Sequence, residues 1–228
     1  MVLLSNTFQA FPARLAKFGL REKTRAIIHA GVALARRAAG AAVLVLGSLG
    51  PLTASDEELD DVLDAFQAST GPDDSRGVDG LLLETLSDTS LLERVRPRLS
   101  RDVPLLFAAT YRVGAAGPVT FEGLTPREVA RRAAEAGADA VGFNCGKDID
   151  ARALGRIFEQ YRAATALPLF ARPNAGTPRE ESGRLVFPVD AETFARNLAP
   201  LRGKLAMVGG CCGTTPEYIR SLAACLRA

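Results

Sequence analysis

Short runs of aliphatic and β-branched residues alternate with longer amphipathic stretches along the whole chain. That alternation is the pattern of a parallel sheet whose strands are joined by crossover helices. It predicts strands at 2–4, 42–46, 80–83, 104–108, 140–143, 167–170 and 205–208, seven in all. Most are near-continuous apolar runs, as strands covered on both faces require. Helices are predicted at about 22–39, 56–69, 89–99, 126–136, 151–164, 191–197 and 216–226.

Several helices carry start and stop signals. Ser55 with Glu58, and Thr125 with Pro126 and Glu128, fit the capping box, in which a hydroxyl and a carboxylate reciprocally satisfy orphan backbone donors. Thr215 before Pro216 reads as a further N-cap, and Gly40, Gly71 and Gly137 stand where helices should stop. Three stretches, 7–21, 113–123 and 174–189, show no regular pattern. The last two directly follow predicted strands, and loops at the carboxyl ends of parallel strands are where such folds carry their sites. Seven units with no sign of a reversed strand order predict a (β/α)8-type TIM barrel that lacks one unit and occupies residues 1–228 as a single α/β domain.

Composition narrows the function. The chain has 228 residues, 47% of them apolar, which is enough to build a core without staples. Its net charge of +2, with both signs mixed along the length, offers no footprint for nucleic acid or an anionic membrane. The longest apolar run, residues 41–46, is far short of the ~20 residues a membrane span needs. The opening MVLLSNTFQA has no basic n-region, so no export signal is read and a cytoplasmic location is expected. Four cysteines are too few for a disulfide scaffold.

Those cysteines carry the most information. Cys145 follows the strand 140–143, and Cys211 and Cys212 follow the strand 205–208, so all three are expected on one rim. Three converging thiolates form a soft donor set suited to zinc, with a fourth coordination position left open. A vicinal pair also has other readings: coincidental packing, a strained redox bridge or half of a switch. Flanking Gly209, Gly210 and Gly213 argue against packing alone. Cys225 in the last helix and His29 in the first long helix read as structural.

Gly-Phe-Asn-Cys at 142–145 and Gly-Gly-Cys-Cys-Gly-Thr-Thr-Pro-Glu at 209–217 resemble the two zinc-binding motifs of the homocysteine S-methyltransferase family. SNTFQA at 5–10, GSLGP at 47–51, DGLLLETLSD at 79–88 and PNAG at 173–176 match in order. The resemblance covers nearly the whole chain and is nearest to the homocysteine-binding module of cobalamin-dependent methionine synthase. It implies that Cys145, Cys211 and Cys212 hold zinc, that homocysteine sulfur takes the fourth place, and that methyl transfer gives methionine. It places Glu84 on the substrate ammonium, although by itself Glu84 reads rather as an N-cap or an ion-pair member. Asn144 and Asn174 are expected to orient the amino-acid end of the substrate or a ligating sulfur, or to serve as turn residues. Asn6 and Thr7 are expected at the mouth of the site.

Family members begin with a further βα unit whose strand ends in an Asp-Gly motif, whereas this chain opens at what corresponds to the second strand; the resemblance thus implies that the barrel is N-terminally incomplete. A late gene start, a partner chain that supplies the unit, and a degenerate protein are the three explanations. The expected donor is methylcobalamin on a separate corrinoid protein, with S-methylmethionine and S-adenosylmethionine as other candidates. Betaine fits poorly, because the chain has no Trp and only three Tyr with which to cage it. The alternative is a catalytically silent zinc- or thiol-binding subunit of a multi-chain corrinoid methyltransferase.

Overall fold

A computed structural model describes residues 1–68 and 77–227. The chain divides into two compact units. The first comprises Met1–Glu84, Ser90–Phe107 and Ala136–Ala138; the second comprises Thr85–Thr89, Ala108–Glu135 and Asp139–Ala228.

Through the first unit run β1 (Val2–Leu4), the short helix α1 (Pro12–Ala16), α2 (Thr24–Ala39), β2 (Leu44–Leu49), α3 (Asp56–Gln67), β3 (Gly80–Leu86), α4 (Ser90–Val95) and the start of β4 (Leu105–Ala109). The strand pairs β1–β2 and β2–β3 are parallel. Helix α2 buries one stripe, Ile28, Val32 and Ala35, and stops at Gly40 in a positive-φ conformation. The Ser55 capping box opens α3, which buries Leu59, Val62, Leu63 and Phe66. Each such side chain contributes about 1.5–3 kcal/mol on leaving water. The predicted end of this helix at Ser69 and the stop at Gly71 lie outside the described residues.

An ion pair locks the start of β3. Asp79 Oδ2 accepts from Arg36 Nη1 at 2.6 Å and from the Val45 backbone N–H at 2.7 Å, while Arg36 also donates to Gly77 O. Both side chains are largely buried, 16% and 22% exposed. Asp79→Ala is expected to lower stability by about 3 kcal/mol, because it leaves the charge of a largely buried guanidinium uncompensated and takes the acceptor from Arg36 Nη1 and from the Val45 N–H. Asp79→Asn, which keeps an acceptor, is expected to lose about 1 kcal/mol. Urea unfolding of the two variants beside the parent checks the order.

The second unit holds β5 (Arg112–Gly114), β6 (Gly117–Val119), α5 (Pro126–Glu135), β7 (Ala140–Cys145), α6 (Ala151–Ala164), β8 (Leu169–Pro173), β9 (Arg179–Glu181), β10 (Arg184–Val186), α7 (Ala191–Leu198), β11 (Met207–Val208) and α8 (Pro216–Arg227). Thr125 and Glu128 bond each other's backbone N–H at the head of α5, the predicted box. Asp150 and Asp190 cap α6 and α7. The pairs β7–β8 and β8–β11 are parallel. Two fully buried tyrosines brace β7: Tyr161 donates to Gly142 O, so the hydroxyl contact of 2.8 Å must have Tyr111 donating to Tyr161. Burial pushes both phenols above their ordinary range.

The sheet order is β1-β2-β3-β4-β7-β8-β11, with helices in the connections. This is the α/β succession of an incomplete TIM-barrel-type fold, as the pattern predicts. Two expectations need correction. Residues 113–123 and 174–189 contain antiparallel hairpins, β5–β6 and β9–β10, and residues 7–21 contain α1. The strands also run further towards their carboxyl ends than the apolar runs do, to Leu49, Leu86, Cys145 and Pro173. Backbone groups make the ladder, so a strand continues through polar residues such as Ser48, Glu84 and Asn144. Among the described residues no helix is long and apolar enough to cross a membrane.

Candidate metal centre

Cys145 is the last residue of β7, while Cys211 and Cys212 follow β11 by three and four residues. At Cys145 the backbone turns left-handed, φ 61°, and Gly146 follows at φ 97°. A left-handed cysteine costs about 1 kcal/mol or more and persists only where its surroundings hold it. The holding contacts come from β8 and the residue after it: Cys145 pairs in register with Pro173, and Asn174 Nδ2 donates to Gly146 O. The same stretch anchors the cysteine pair, with Cys211 N–H donating to Pro173 O and Ala175 N–H to Cys212 O, each at 2.9 Å. Gly213 takes φ 79°, and a Cβ there would meet the Phe187 ring at 2.2 Å, so the turn closing this segment requires glycine.

The three Sγ atoms lie within 4.8 Å of one another, with Cys211 and Cys212 4.0 Å apart. A tetrahedral zinc with Zn–S bonds of about 2.3 Å places its sulfurs about 3.8 Å apart. The set therefore exceeds that spacing by about an ångström at most. Three soft donors and no hard ones fit zinc and suit neither magnesium nor calcium.

Two buried or half-buried amides serve the sulfurs. Asn144 is fully buried and its Nδ2 donates towards Cys211 Sγ at 3.7 Å. Asn174 Nδ2 donates to Cys145 Sγ at 3.5 Å and to Gly146 O at 3.2 Å, and its Oδ1 accepts the Cys212 N–H at 3.0 Å. Amide N–H groups aimed at sulfur favour the thiolate. The Cys145 thiol is drawn down to about 7, first by its hydrogen bond with Cys211 and then by Asn174, against the opposing effect of burial. The same bond read from its other end, with burial, pushes Cys211 up, and burial raises Cys212.

The other predicted residues sit as follows. Glu84, 4% exposed in β3, accepts a hydrogen bond from Ser48 Oγ. Ser48 N–H donates to Ser5 Oγ at 3.2 Å, Ser5 Oγ lies 2.7 Å from Thr7 Oγ1, and Thr7 Oγ1 donates to Ser48 O at 2.8 Å. Thr7 is thereby 1% exposed and part of the network behind Glu84, whereas Asn6 is exposed. Cys225 is half-buried, its Sγ 3.8 Å from Ala195 O, and stands apart from the thiol cluster. His29 is half-buried in α2 with Nε2 unpartnered among the described residues; burial, then Arg25, lowers its pKa.

The sequence profile of the homocysteine S-methyltransferase family matches residues 1–226. The chain belongs to that family. It is 29% identical to the methionine synthase of Mycobacterium leprae over 245 residues, 96% of this chain and 19% of that one. It is likewise 29% identical to the methionine synthase of Mycobacterium tuberculosis over 246 residues, 96% of this chain and 20% of that one. The chain thus spans about a fifth of the length of these curated relatives. The structure of the homocysteine methyltransferase MmuM from Escherichia coli, in its oxidized form, matches with TM-score 0.71 and 25% identity, covering all of this chain and 79% of that one.

Sequence reasoning passed over four residues of this homocysteine S-methyltransferase fold. Ser5 and Ser48 lie inside the quoted SNTFQA and GSLGP segments, so the signal was present without the side chains being singled out. Thr85 takes φ 62°, unusual for a β-branched residue, and nothing local announces it. Arg172 pairs in register with Asn144, and its charge acts on Cys211, opposing the rise of that thiol.

Proposed function

We propose that this chain transfers a methyl group to the thiol of homocysteine, giving methionine, with zinc held by Cys145, Cys211 and Cys212. The observation that carries the reading is the three-thiol cluster with its amide donors, found in a member of the homocysteine S-methyltransferase family. Zinc bound there would supply the Lewis acidity that keeps a thiol ionised near neutral pH, where a free thiol of pKa about 8.5 is mostly protonated. A sulfur–methyl bond forms, the donor–methyl bond breaks with its electron pair staying on the donor, and the thiol proton is released.

The chain's own residues bind and orient. Three thiols rather than four leave a tetrahedral position for the substrate sulfur. Asn144 and Asn174 hold Cys211 and Cys145 by their sulfurs. Glu84 receives the substrate ammonium, with Ser48 orienting the carboxylate and Thr7 acting on it through Ser48. Asn6, exposed just after β1, is assigned to the mouth. The resemblance to the cobalamin-dependent branch favours methylcobalamin on a separate corrinoid protein as donor.

The test is methionine formation, followed by mass spectrometry, from L-homocysteine and the zinc-loaded chain with methylcobalamin on a corrinoid protein, S-methylmethionine or S-adenosylmethionine. Turnover with any donor is the expected result, and the donor that works completes the assignment. Full zinc occupancy with no methionine from any of the three would leave a metal-binding subunit in place of an enzyme.

A further inference from the structure

Thr85 is an unlikely residue to find in the left-handed region. Its branched Cβ crowds the backbone there. Something must hold it at φ 62°, and the structure shows what does. The Thr85 backbone N–H donates to Asn144 Oδ1 at 2.7 Å, and Asn144 Nδ2 donates to Thr85 Oγ1 at 2.8 Å. One amide thus grips the backbone N–H and the hydroxyl of one residue from 59 positions away. Asn144 itself has no freedom to turn: it is fully buried, in register with Arg172 on β8, and its Nδ2 also faces Cys211 Sγ.

We propose that Asn144 is a positioning residue that clamps Thr85 in its left-handed conformation and so fixes the direction in which the adjoining Glu84 presents its carboxylate to the substrate amino group. The inference rests on the reading of Glu84 given above and adds to it. The peptide between Glu84 and Thr85 is rigid, so the φ imposed on Thr85 sets the plane of the Glu84 carbonyl within β3. Ser48 holds the carboxylate end of the same side chain. With backbone and tip both fixed, Glu84 meets an ammonium without first losing rotamer freedom, which is the source of affinity in a preorganised site. The side-chain type also fits: an aspartate at 144 has no amide hydrogen for Thr85 Oγ1, and a leucine has neither partner.

Two ligands separate this role from general stability. Dissociation constants of L-homocysteine and of 4-sulfanylbutanoate, which lacks the amino group, are measured by calorimetry on zinc-loaded protein. Parent, Thr85→Val, Thr85→Gly and Thr85→Ser are compared, with zinc content determined for each. Valine keeps the shape and removes the Oγ1 acceptor; glycine removes it while accepting positive φ without strain, so that variant keeps the test open if the valine protein fails to fold. Both are expected to weaken homocysteine roughly tenfold, to leave 4-sulfanylbutanoate within about twofold, and to keep their zinc. Thr85→Ser, which retains the hydroxyl, is expected to recover most of the affinity.

Equal weakening of both ligands in the valine and glycine variants, or unchanged homocysteine binding in the glycine variant, would overturn the clamp. If the parent shows no preference for homocysteine over the analogue, the reading of Glu84 fails and the clamp's role falls with it. A preference in the parent that survives unchanged in the variants overturns the clamp alone.

Discussion

Replacing any one of Cys145, Cys211 and Cys212 by serine is expected to empty the metal centre and to lower methyl transfer by roughly a thousandfold or more. The size follows from two losses that multiply. Without the metal the substrate thiol is ionised only to its free extent, about 3% at neutral pH for a pKa near 8.5. Without a fixed fourth ligand position its sulfur is also no longer held, and misplacement of a reacting atom by about an ångström costs roughly a hundredfold. Serine leaves the fold intact because it is smaller than cysteine, and the three thiols are half-buried or exposed rather than packed in the core. Cys225, which faces Ala195 O between α7 and α8, supplies the control: Cys225→Ala is expected to keep its zinc and its turnover. Metal content by mass spectrometry after dialysis against a weak chelator reads the result directly. Equal zinc in all four variants would refute the assignment whatever the activities show.

The thiol cluster was legible in the sequence because strand ends fix position. A residue at the end of β7 and a pair just after β11 can only lie at the carboxyl ends of their strands, and β8 stands between those two strands and bonds to both. What supports the cluster was not legible. Asn174 lies 29 residues from Cys145 and 38 from Cys212, and a hydrogen bond over such a span leaves no trace in local pattern. The hairpin β9–β10 escaped for a different reason. Every residue of its two strands is exposed, so neither has the alternation by which a half-buried strand is recognised. Its turn carried the usable signal, Ser182-Gly183, both at positive φ as a type I′ turn requires.

Polar residues at strand ends were the systematic blind spot. Reading strands by apolar runs leaves out the hydrophilic residues near their ends, yet Ser48, Glu84 and Asn144 are 2%, 4% and 0% exposed and stand within β2, β3 and β7. A buried polar side chain at such a place must be bonded, and each of these is. In parallel α/β folds the carboxyl ends are where the interior opens to ligand, so the residues that spoil the hydrophobic run are the ones that make the site. The run's end marks where packing gives way to chemistry, not where the strand stops.

Glu84 is the residue in which that distinction has the largest consequence after the cysteines. Glu84→Ala is expected to raise the homocysteine KM roughly a hundredfold while zinc stays bound. A charge-assisted hydrogen bond to an ammonium in a buried setting is worth about 1.5–3 kcal/mol, which spans roughly tenfold to over a hundredfold in affinity. Alanine sits at the upper end because it removes both the charge and the oxygen that accepts from the ammonium. Glu84→Gln retains that acceptor and forfeits only the charge, so a rise of about tenfold is expected. The pair of variants separates recognition from architecture. A purely structural Glu84 would give alanine and glutamine proteins that differ in thermal stability but share the parent's KM. Loss of zinc from either would instead tie the carboxylate to the thiol cluster. With 4-sulfanylbutanoate as acceptor both variants are expected to match the parent, since a substrate without an ammonium has nothing for the carboxylate to bind.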